Sequence, residues 1–262
     1  MVSFDEFDRE QAILLELGSS GRVTVSELAE RFGVSTVTVR KDLDALERRT
    51  LLRRIRGGAV SVGVTDEGAF HNRLHHATAA KQAIARAAAA IVGNGDVIAL
   101  DSSSTCFYLA QELVDRRNLV VVTNGLRSAS LLMEESSALV FMPGGVLRRA
   151  AASVVGPIGD VLAGRGRIGK GFFGTAGLSV EHGLMDVAPE EAQAKVQLVG
   201  SCDEVYGLFD SSKIGRFALH PFVATAGIDA LYTDDAIDPA VVAEWAEAGV
   251  PVHAVAVPEG AR

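Results

Sequence analysis

Apolar residues recur at helical spacing three times within the first fifty positions of the chain. The three sets are Ile13, Leu14 and Leu17; Leu28, Ala29 and Phe32; and Val39, Leu43 and Leu46. Because residues three and four positions apart share one face of an α-helix, each set forms an apolar stripe. The pattern predicts three short helices, the first within residues 5–17, that pack their stripes together.

Polar residues mark where these helices begin and end. The Gly-Ser-Ser-Gly run at 18–21 ends the first helix, because it combines flexible and turn-forming residues. Thr24 and Glu27 form a capping-box sequence at the start of the second helix. Gly33 stands where a left-handed residue would reverse the chain, and Ser35 can cap the third helix. A helix-turn-helix is therefore predicted.

The pattern then changes from helical spacing to alternation. Residues 51–60 alternate apolar and basic side chains, which favours a two-stranded wing. Residues 61–77 have no sustained period and indicate a linker, and an alanine-rich helix is predicted from Thr78 onward. We therefore expect a winged helix-turn-helix domain at 1–60, a linker at 61–77 and a larger domain at 78–262.

Beyond Thr78, short apolar runs alternate with segments of helical length. The runs are Val97–Leu100, Leu119–Val122, Ala138–Met142, Gly171–Gly174, Val205–Phe209, Ala230–Thr233 and Val252–Val257. That rhythm predicts an α/β fold, with a mainly parallel sheet and flanking helices behind the N-terminal α+β winged helix-turn-helix. In such a sheet a ligand binds at the carboxyl ends of the strands.

Residues that suit an anion follow several of these runs. Asp101–Thr105 places four hydroxyl residues after the first run, and Asn124, Gly144, Gly145 and Lys213 follow others. Backbone amides at a strand-to-helix turn favour a phosphate. A simple helix cap would explain the hydroxyl residues equally well, so the other strand ends decide in favour of a ligand site.

The net charge of −8 is distributed unevenly along the chain. Residues 1–60 contain ten basic and ten acidic residues, so the acidic excess lies beyond them. Within 31–56, eight basic residues stand against three acidic ones. This positive patch coincides with the third helix and the wing, and it suits the phosphate backbone of DNA despite the acidic total.

The outward face of the third helix carries the residues that would read DNA. Val37, Lys41, Asp44 and Arg48 lie opposite its apolar stripe at 100° per residue. A basic helix face is usually only solvated, but this one belongs to a helix-turn-helix and precedes a basic wing. Val37 would contact a thymine methyl, and Arg40 or Lys41 a guanine edge or a phosphate. The sequence leaves that last choice open.

Motif-like stretches extend over both predicted domains. They are Gly21–Val25, Leu28–Ala29, Phe32–Ser35, Thr38–Leu43, Arg56–Ala59, Asp101–Thr105, Val121–Asn124, Gly144–Gly145, Ser153–Pro157, Phe173–Gly177, His182–Leu184, Glu191 with Lys195, and Asp210–Arg216. These stretches resemble the DeoR family of transcriptional regulators. The resemblance implies a repressor of carbohydrate-metabolism genes whose operator binding responds to a phosphorylated sugar. It also implies that the second domain shares its fold with ribose phosphate isomerases.

The resemblance assigns roles to residues in both domains. It implies that Thr38, Arg40 and Lys41 anchor the recognition helix. It also implies that the loop Asp101–Thr105, which we call the hydroxyl loop, holds a sugar phosphate that Lys195 and Lys213 approach. The residues expected to bind DNA are Ser35, Thr36, Val37, Thr38, Arg40, Lys41, Arg53, Arg54 and Arg56. The residues expected to bind the effector are Asp101, Ser102, Ser103, Ser104, Thr105, Asn124, Gly144, Gly145, Lys195 and Lys213.

Three residues depart from what the family often has. Arg56 replaces a histidine in the wing but keeps a hydrogen-bond donor. Ser103 replaces a glycine and would narrow the hydroxyl loop, whereas Met185 replaces a threonine and removes a hydroxyl. The effector can therefore differ from the common ones.

Two other functions fit parts of the pattern. An isomerase could use Asp101 or Asp186 as a base, but no feature of the sequence pairs such a carboxylate with a substrate. A pure oligomerisation module would carry apolar rather than polar strand ends. Since one short helix reads few base pairs, the regulator is expected to bind double-stranded DNA as a homo-oligomer, a dimer or a tetramer.

No cofactor and no metal are expected. Cys106 and Cys202 lack the spacing of a zinc or redox site and are predicted to be buried thiols. An incomplete set of metal ligands lies in the predicted linker, where solvation is the simpler interpretation: Asp66, Glu67, His71, His75 and His76. The acidic start and the lack of a long apolar run predict a cytoplasmic protein without a membrane partner.

Overall fold

The computed structural model describes residues 9, 10, 12–14, 16, 17, 22–48, 52–61, 70–156 and 166–258, except for the side chains of 53, 60 and 61. The described residues between 9 and 17 are helical, as the apolar spacing predicts. The predicted break at 18–21 lies outside the described residues.

The N-terminal part is a winged helix-turn-helix. Its elements are β1 (Arg22–Thr24), α1 (Val25–Phe32), α2 (Thr36–Arg48), β2 (Leu52–Ile55) and β3 (Gly58–Ser61). The three strands form an antiparallel sheet in the order β1-β3-β2. The two helices and the hairpin are confirmed, while the pairing of β1 with the wing is a feature that the sequence pattern did not predict.

Local side-chain chemistry explains the ends of α1 and α2. The Thr24 hydroxyl accepts a hydrogen bond from the Glu27 amide at 3.3 Å and donates one to the Glu27 carboxylate at 2.6 Å. Gly33 ends α1 with a left-handed φ of 65°, which costs glycine little. The Ser35 hydroxyl accepts a hydrogen bond from the Thr38 amide at 3.1 Å, so all three predicted turn signals are confirmed.

The hydrophobic core of the N-terminal part extends into the rest of the chain. Several of its fully buried members come from the predicted stripes, among them Ile13, Leu17 and Leu43. Met185 and Phe217, which lie far along the sequence, pack in the same cluster. We call this cluster the shared core, because both parts of the chain contribute to it.

The C-terminal part contains twelve described strands. In chain order they are β4 (Val97–Leu100), β5 (Val120–Thr123), β6 (Leu139–Phe141), β7 (Val146–Arg148), β8 (Ser153–Val155), β9 (Ile168–Gly174), β10 (Gly177–Ser179), β11 (Gly183–Asp186), β12 (Cys202–Leu208), β13 (His220–Val223), β14 (Ala230–Asp234) and β15 (Val252–Val255). Seven of them form one wholly parallel sheet in the order β15-β14-β12-β9-β4-β5-β6. These seven correspond to the seven predicted apolar runs, so the α/β fold class is confirmed.

Helices cover both faces of the parallel sheet. They are α3 (Phe70–His75), α4 (Thr78–Ala89), α5 (Ser104–Glu112), α6 (Leu126–Glu135), α7 (Pro189–Val199) and α8 (Pro239–Glu247). Two separate buried clusters flank the sheet, and the neighbouring residues Phe172 and Phe173 belong one to each. Since successive side chains of a strand point to opposite faces, the buried part of this central strand needs apolar residues on both sides.

The sequence pattern missed the shorter elements. β7 pairs with β8, and β10, β11 and β13 form a small antiparallel sheet. Each of these strands has only three or four residues, which is too short for a clear alternation. Helix α3 forms within the stretch predicted as a linker, where Phe70 is buried.

The Thr24 cap should stabilise α1 measurably. Thr24→Ala removes the hydroxyl that caps the helix and should cost about 1 kcal/mol, a loss of protection of roughly fivefold. Hydrogen exchange of the α1 amides in the full chain measures this change. Thr24→Ser keeps the hydroxyl and serves as the control. Equal exchange in the alanine and serine variants would contradict the assignment.

Candidate functional site

The carboxyl ends of the central strands converge with α7 to form a polar crevice. Asp101–Thr105 follow β4, Asn124 follows β5, and Lys213 lies in the turn after β12. Helix α7 contributes Glu191 and Lys195, both buried. We call this region the strand-end crevice, and it includes Asp186 at the end of β11.

Lys195 is the centre of a buried ion triad. Its ammonium nitrogen lies 2.9 Å from Asp101 Oδ2 and 2.7 Å from Asp186 Oδ2. It also donates a hydrogen bond to the Gly174 carbonyl at 2.8 Å and stands 4.8 Å from the centre of the Phe222 ring. All the donors of Lys195 are therefore directed at this protein's own groups.

The triad favours the charged forms of Lys195 and Asp101. Burial would lower the pKa of Lys195, but Asp101 and Asp186 outweigh it and hold the pKa above its ordinary value. Burial would likewise raise the pKa of Asp101, yet Lys195 and hydrogen bonds from Ser103 hold it below the usual range. The Asp101 carboxylate also accepts the amides of Ser103 at 2.9 Å and Gly174 at 2.8 Å. It is a fixed anion rather than a free base.

Glu191 is a third buried acidic residue of the site, and sequence reasoning did not assign it there. Its carboxylate accepts hydrogen bonds from the hydroxyls of Ser102, at 3.1 Å, and Ser153, and from the Asn124 amide at 3.4 Å. Arg148 reaches the same carboxylate at 2.8 Å. The sequence signal for Glu191 was its spacing of four residues from Lys195, which places both on one face of α7.

The hydroxyl loop divides into bonded and unbonded groups. Ser102 donates to Glu191, and Ser103 caps α5 by accepting the Cys106 amide at 3.1 Å. Ser104 and Thr105 are buried, and within the described part of the chain their hydroxyls make no hydrogen bond. Two of the four predicted hydroxyls are thus already used by the protein.

Lys213 differs from Lys195 in having no ion pair or hydrogen bond of its ammonium among the described residues. Burial lowers its pKa, Arg216 and Arg73 lower it further, and Asp210 and Asp186 partly oppose them. The side chain is half-buried. Lys213 is therefore a desolvated cation that a bound anion would neutralise.

The remaining predicted effector residues lie at the rim of the sheet. Gly144 and Gly145 are exposed in the connection from β6 to β7. Gly145 has φ 149°, and a Cβ there would lie 2.3 Å from the Val155 carbonyl oxygen. Close packing explains this glycine without a ligand. Asn124 keeps its side-chain oxygen buried and without a hydrogen-bond partner.

Most of the predicted DNA-binding residues share one surface. Thr36, Val37, Arg40 and Lys41 are exposed on α2, and Val37 exposes 58% of its surface. The exposure of Val37 agrees with its predicted position opposite the apolar stripe of the helix. The other predicted positions on this surface are Ser35, whose hydroxyl lies 2.9 Å from that of Thr38, and Arg56 at the wing turn.

Arg54 has a different environment from its neighbours. Its guanidinium donates to Asp44 Oδ1 at 3.0 Å and to the Gly58 carbonyl at 3.0 Å. These bonds connect the wing to α2, so Arg54 supports the surface from within it. The side chain of Arg53 lies outside the described residues.

The structure also bears on the predictions for the two cysteines, for a metal site and for membrane-spanning helices. Cys106 is buried, but Cys202 is only partly buried, so the prediction of two buried thiols is wrong for Cys202. No cluster of three metal-ligating residues occurs among the described residues, and Asp66 and Glu67 lie outside them. Among the same residues, no helix has the length and apolar character needed to cross a membrane.

Comparison with known proteins identifies the family. The model of the DeoR-like helix-turn-helix domain matches residues 9–65, and that of the DeoR C-terminal sensor domain matches residues 76–235. The transcriptional regulator GolR of Listeria innocua is 32% identical over 94% of this chain and 97% of its own length. This chain belongs to the DeoR family. It is a DNA-binding transcriptional regulator.

Two further comparisons frame this DeoR-family regulator. The glycerol-3-phosphate regulon repressor of Escherichia coli is 30% identical over 86% of this chain and 90% of its own. Ribose 5-phosphate isomerase A of Methanocaldococcus jannaschii is 17% identical, with a TM-score of 0.39 over 52% of this chain and 54% of its own. The fold class follows from the strand order of the parallel sheet.

In this DeoR-family regulator, two short segments connect the strand-end crevice to the shared core. Asp186 of β11 pairs with Lys195, whereas the preceding residue, Met185, packs in the shared core. Lys213 is followed within four residues by Phe217 of the same core. A cavity of about 190 Å³ lies at this junction, between Glu10 and the segment that contains Phe217. Only a few residues therefore separate the strand-end crevice from the core that it shares with the DNA-binding part.

Removing Lys195 should destabilise the regulator strongly, because it leaves two buried carboxylates without their cation. Lys195→Met is expected to lower the free energy of unfolding by about 3–5 kcal/mol at pH 7. The half-exposed pair Lys170–Asp96, at 2.7 Å, provides the control, since Lys170→Met should cost less than about 1 kcal/mol. Urea unfolding measures both variants.

The stability difference between Lys195→Met and the wild type should also depend on pH in a definite direction. The lowered pKa of Asp101 stabilises the wild type above the ordinary carboxyl pKa, and that contribution is lost as pH falls through the lower folded value. In Lys195→Met, protonation instead neutralises the unpaired carboxylates. The difference in the free energy of unfolding between Lys195→Met and the wild type should therefore become smaller as the pH falls from about 7 to about 4. A constant difference would contradict the triad's role.

Proposed function

We propose that this regulator represses genes of carbohydrate metabolism, and that a phosphorylated sugar in the strand-end crevice lowers its affinity for operator DNA. The observation that carries the proposal is the contrast between Lys195, whose charge is neutralised within the protein, and Lys213, which has no such partner. The name of the glycerol-3-phosphate regulon repressor supports a phosphorylated metabolite as the class of effector.

The groups that remain available in the crevice suit a sugar phosphate. Lys213 offers a positive charge, Ser104 and Thr105 offer hydroxyls, and Asn124 offers an unpaired buried oxygen. A cation and hydroxyl donors suit a phosphate, whereas an amide oxygen accepts from a sugar hydroxyl. Lys195 and Glu191 act as positioning residues, since their charges are satisfied by neighbouring side chains. The predicted effector residues Asp101, Ser102, Ser103, Gly144 and Gly145 would shape the crevice.

Operator recognition would use the exposed face of α2. We propose that Thr36, Val37, Arg40 and Lys41 contact bases or phosphates, with Ser35, Thr38, Arg53 and Arg56 contacting the backbone and Arg54 supporting the wing. A homo-oligomer would repeat this short contact over two half-sites. The chain would divide into domains at 1–60 and 78–262, joined by a linker at 61–77. The protein would be located in the cytoplasm, beside the DNA.

Isomerase activity has weaker support from the geometry. A general base needs a carboxylate that can accept a proton from the substrate. Asp101 and Asp186 are both held by Lys195, and a second oxygen of each accepts a backbone amide. The relatives matched over 94% and 86% of this chain are transcriptional regulators. Turnover of a sugar phosphate by the purified protein would overturn this interpretation.

The recognition surface predicts a specific loss on mutation. Arg40→Ala should weaken operator binding by about 1–3 kcal/mol if the residue reads a base, or lower the salt dependence of binding by about one counterion if it contacts a phosphate. Titrations at several stated salt concentrations distinguish the two contacts. Arg86→Ala changes an exposed arginine on α4 and should leave both quantities unchanged. Wild-type behaviour of Arg40→Ala would remove this residue from the surface.

The sensor assignment predicts a ligand that requires its phosphate. In a thermal-shift screen of sugar phosphates and their unphosphorylated parents, a ligand selective for the folded state raises the melting temperature. We expect at least one hit, and we expect Lys213→Ala to lose most of its shift, with Lys170→Ala as the matched control. No response to any compound, or a full response in Lys213→Ala, would contradict the proposed site.

A further inference from the structure

Four large apolar side chains are exposed at one edge of the parallel sheet. Met133 lies in the last turn of α6, Leu139 in β6, and Val146 and Leu147 in β7, and each exposes more than half of its surface. These elements follow one another along the chain, and α6 packs against β6. We call these four residues the edge patch. They are four of the six large apolar residues that the described part of the chain exposes, so apolar exposure is concentrated here.

Strand β6 ends the parallel sheet and has an open side. Its neighbour is β5, and no other described strand pairs with it. The Leu139 amide donates to the Leu119 carbonyl at 2.9 Å, on the side of β5. Because successive residues of a strand direct their backbone groups to opposite sides, the amide and the carbonyl of Val140 point away from β5. An open edge of this kind is a template for a further strand.

The β6 edge lacks the features that usually prevent a strand from pairing with another chain. Open edges are commonly protected by a lysine, a proline within the strand or another charged side chain. Residues 136–147 contain no charged residue, although charged residues make up 22% of the chain, and their one proline, Pro143, lies beyond β6. The edge therefore suits a contact that excludes water.

The opposite edge of the parallel sheet, at β15, has a different surface. Residues 217–261 contain seven acidic residues and no lysine or arginine. This stretch includes β14, α8 and β15, so two copies of the chain would repel each other if they met there. Of the two edges of the sheet, the β6 edge is the one that can face a second copy of itself without this repulsion.

Opposite charges stand at the two ends of the β6 edge. Glu134 and Glu135 end α6 and precede the amino end of β6, and both are exposed. Arg127 begins α6 and Arg149 follows β7, and both are exposed as well. The Leu126 amide donates to the Ala152 carbonyl at 2.8 Å, which holds the turn after β7 beside the start of α6. The carboxyl end of the edge is thus positive and its amino end negative.

A two-fold axis would bring these ends together with opposite charges facing each other. In an antiparallel pair of β6 strands, the amino end of one protomer faces the carboxyl end of its partner, and every contact occurs twice. Glu135 of one protomer would stand opposite Arg149 of its partner, and the apolar residues of the edge patch would cover each other. A parallel arrangement would instead place like charges together.

We infer that the β6 edge and the edge patch form an interface between two copies of this chain, which join antiparallel through β6. The inference rests on the homo-oligomer of the proposed function and assigns the surface that forms it, and it does not depend on the effector. The seven parallel strands of one protomer would then continue into the seven of its partner, and the open side of β6 would gain a hydrogen-bonding neighbour.

The first test measures the assembly of the full-length protein by sedimentation velocity over a range of concentrations. The wild type is expected to form a dimer, or a tetramer that contains this interface. Leu139→Lys should weaken the association through β6 by about a hundredfold or more, because each pair of protomers loses two apolar contacts and gains two charges. Val196→Lys changes an exposed apolar residue on α7 and is the matched control, which should assemble as the wild type does.

The antiparallel orientation is tested by exchanging charges at the two ends. Arg149→Glu and Glu135→Arg should each weaken the association by about tenfold, because each places two like-charge pairs in the interface. The double variant restores both pairs and should associate within about threefold of the wild type. Because the chain carries a net charge of −8, a general charge effect would instead make Glu135→Arg associate more tightly than the wild type. This set carries the test if Leu139→Lys does not fold.

The outcomes distinguish the interface from the function beneath it. Loss of one association step in Leu139→Lys, with normal assembly of Val196→Lys, would support the interface. An oligomeric wild type whose assembly is unchanged in Leu139→Lys would overturn the interface alone, and the edge patch would then have another occupant. No recovery in the double charge variant would overturn the antiparallel pairing. A wild type that stays monomeric, both free and on operator DNA, would contradict the homo-oligomer of the proposed function itself.

Discussion

The buried triad of Asp101, Lys195 and Asp186 is the constraint on which the rest of the site depends. It joins the ends of β4 and β11 to α7, and through the Gly174 carbonyl it also joins β9. Breaking a buried ion pair by removing one partner is far more costly than losing a surface pair, so these elements are fixed together. Because the triad consumes the charge of Lys195, an anionic ligand must be recognised by other cations.

The same triad explains how ligand binding can reach the DNA. Asp186 and Met185 are neighbours on β11, yet one belongs to the triad and the other to the shared core. A ligand changes operator affinity only if it binds two arrangements of the protein with different strength, typically by 1–3 kcal/mol in such systems. A cavity of about 190 Å³ lies beside Phe217, where the two parts of the chain meet.

The sequence predicted what depends on local pattern, and it missed what depends on distant partners. The seven parallel strands, the Thr24 cap and the left-handed Gly33 follow from nearby residues, and the structure contains them all. Glu191 bonds to Ser102, 89 positions away, and no local spacing reveals that contact. Lys195 was expected to approach the ligand through family resemblance, but its neutralisation by two carboxylates could be seen only once the strands were assembled.

The reciprocity between effector and operator binding tests most directly whether the strand-end crevice controls DNA binding. Calorimetric titration of a phosphorylated effector into the free regulator and into the regulator saturated with operator DNA yields two affinities. If the two sites are coupled as proposed, operator weakens effector binding by the same factor with which the effector weakens operator binding. Equal effector affinities in the two titrations would contradict it, because the crevice and the DNA-binding surface would then be energetically independent.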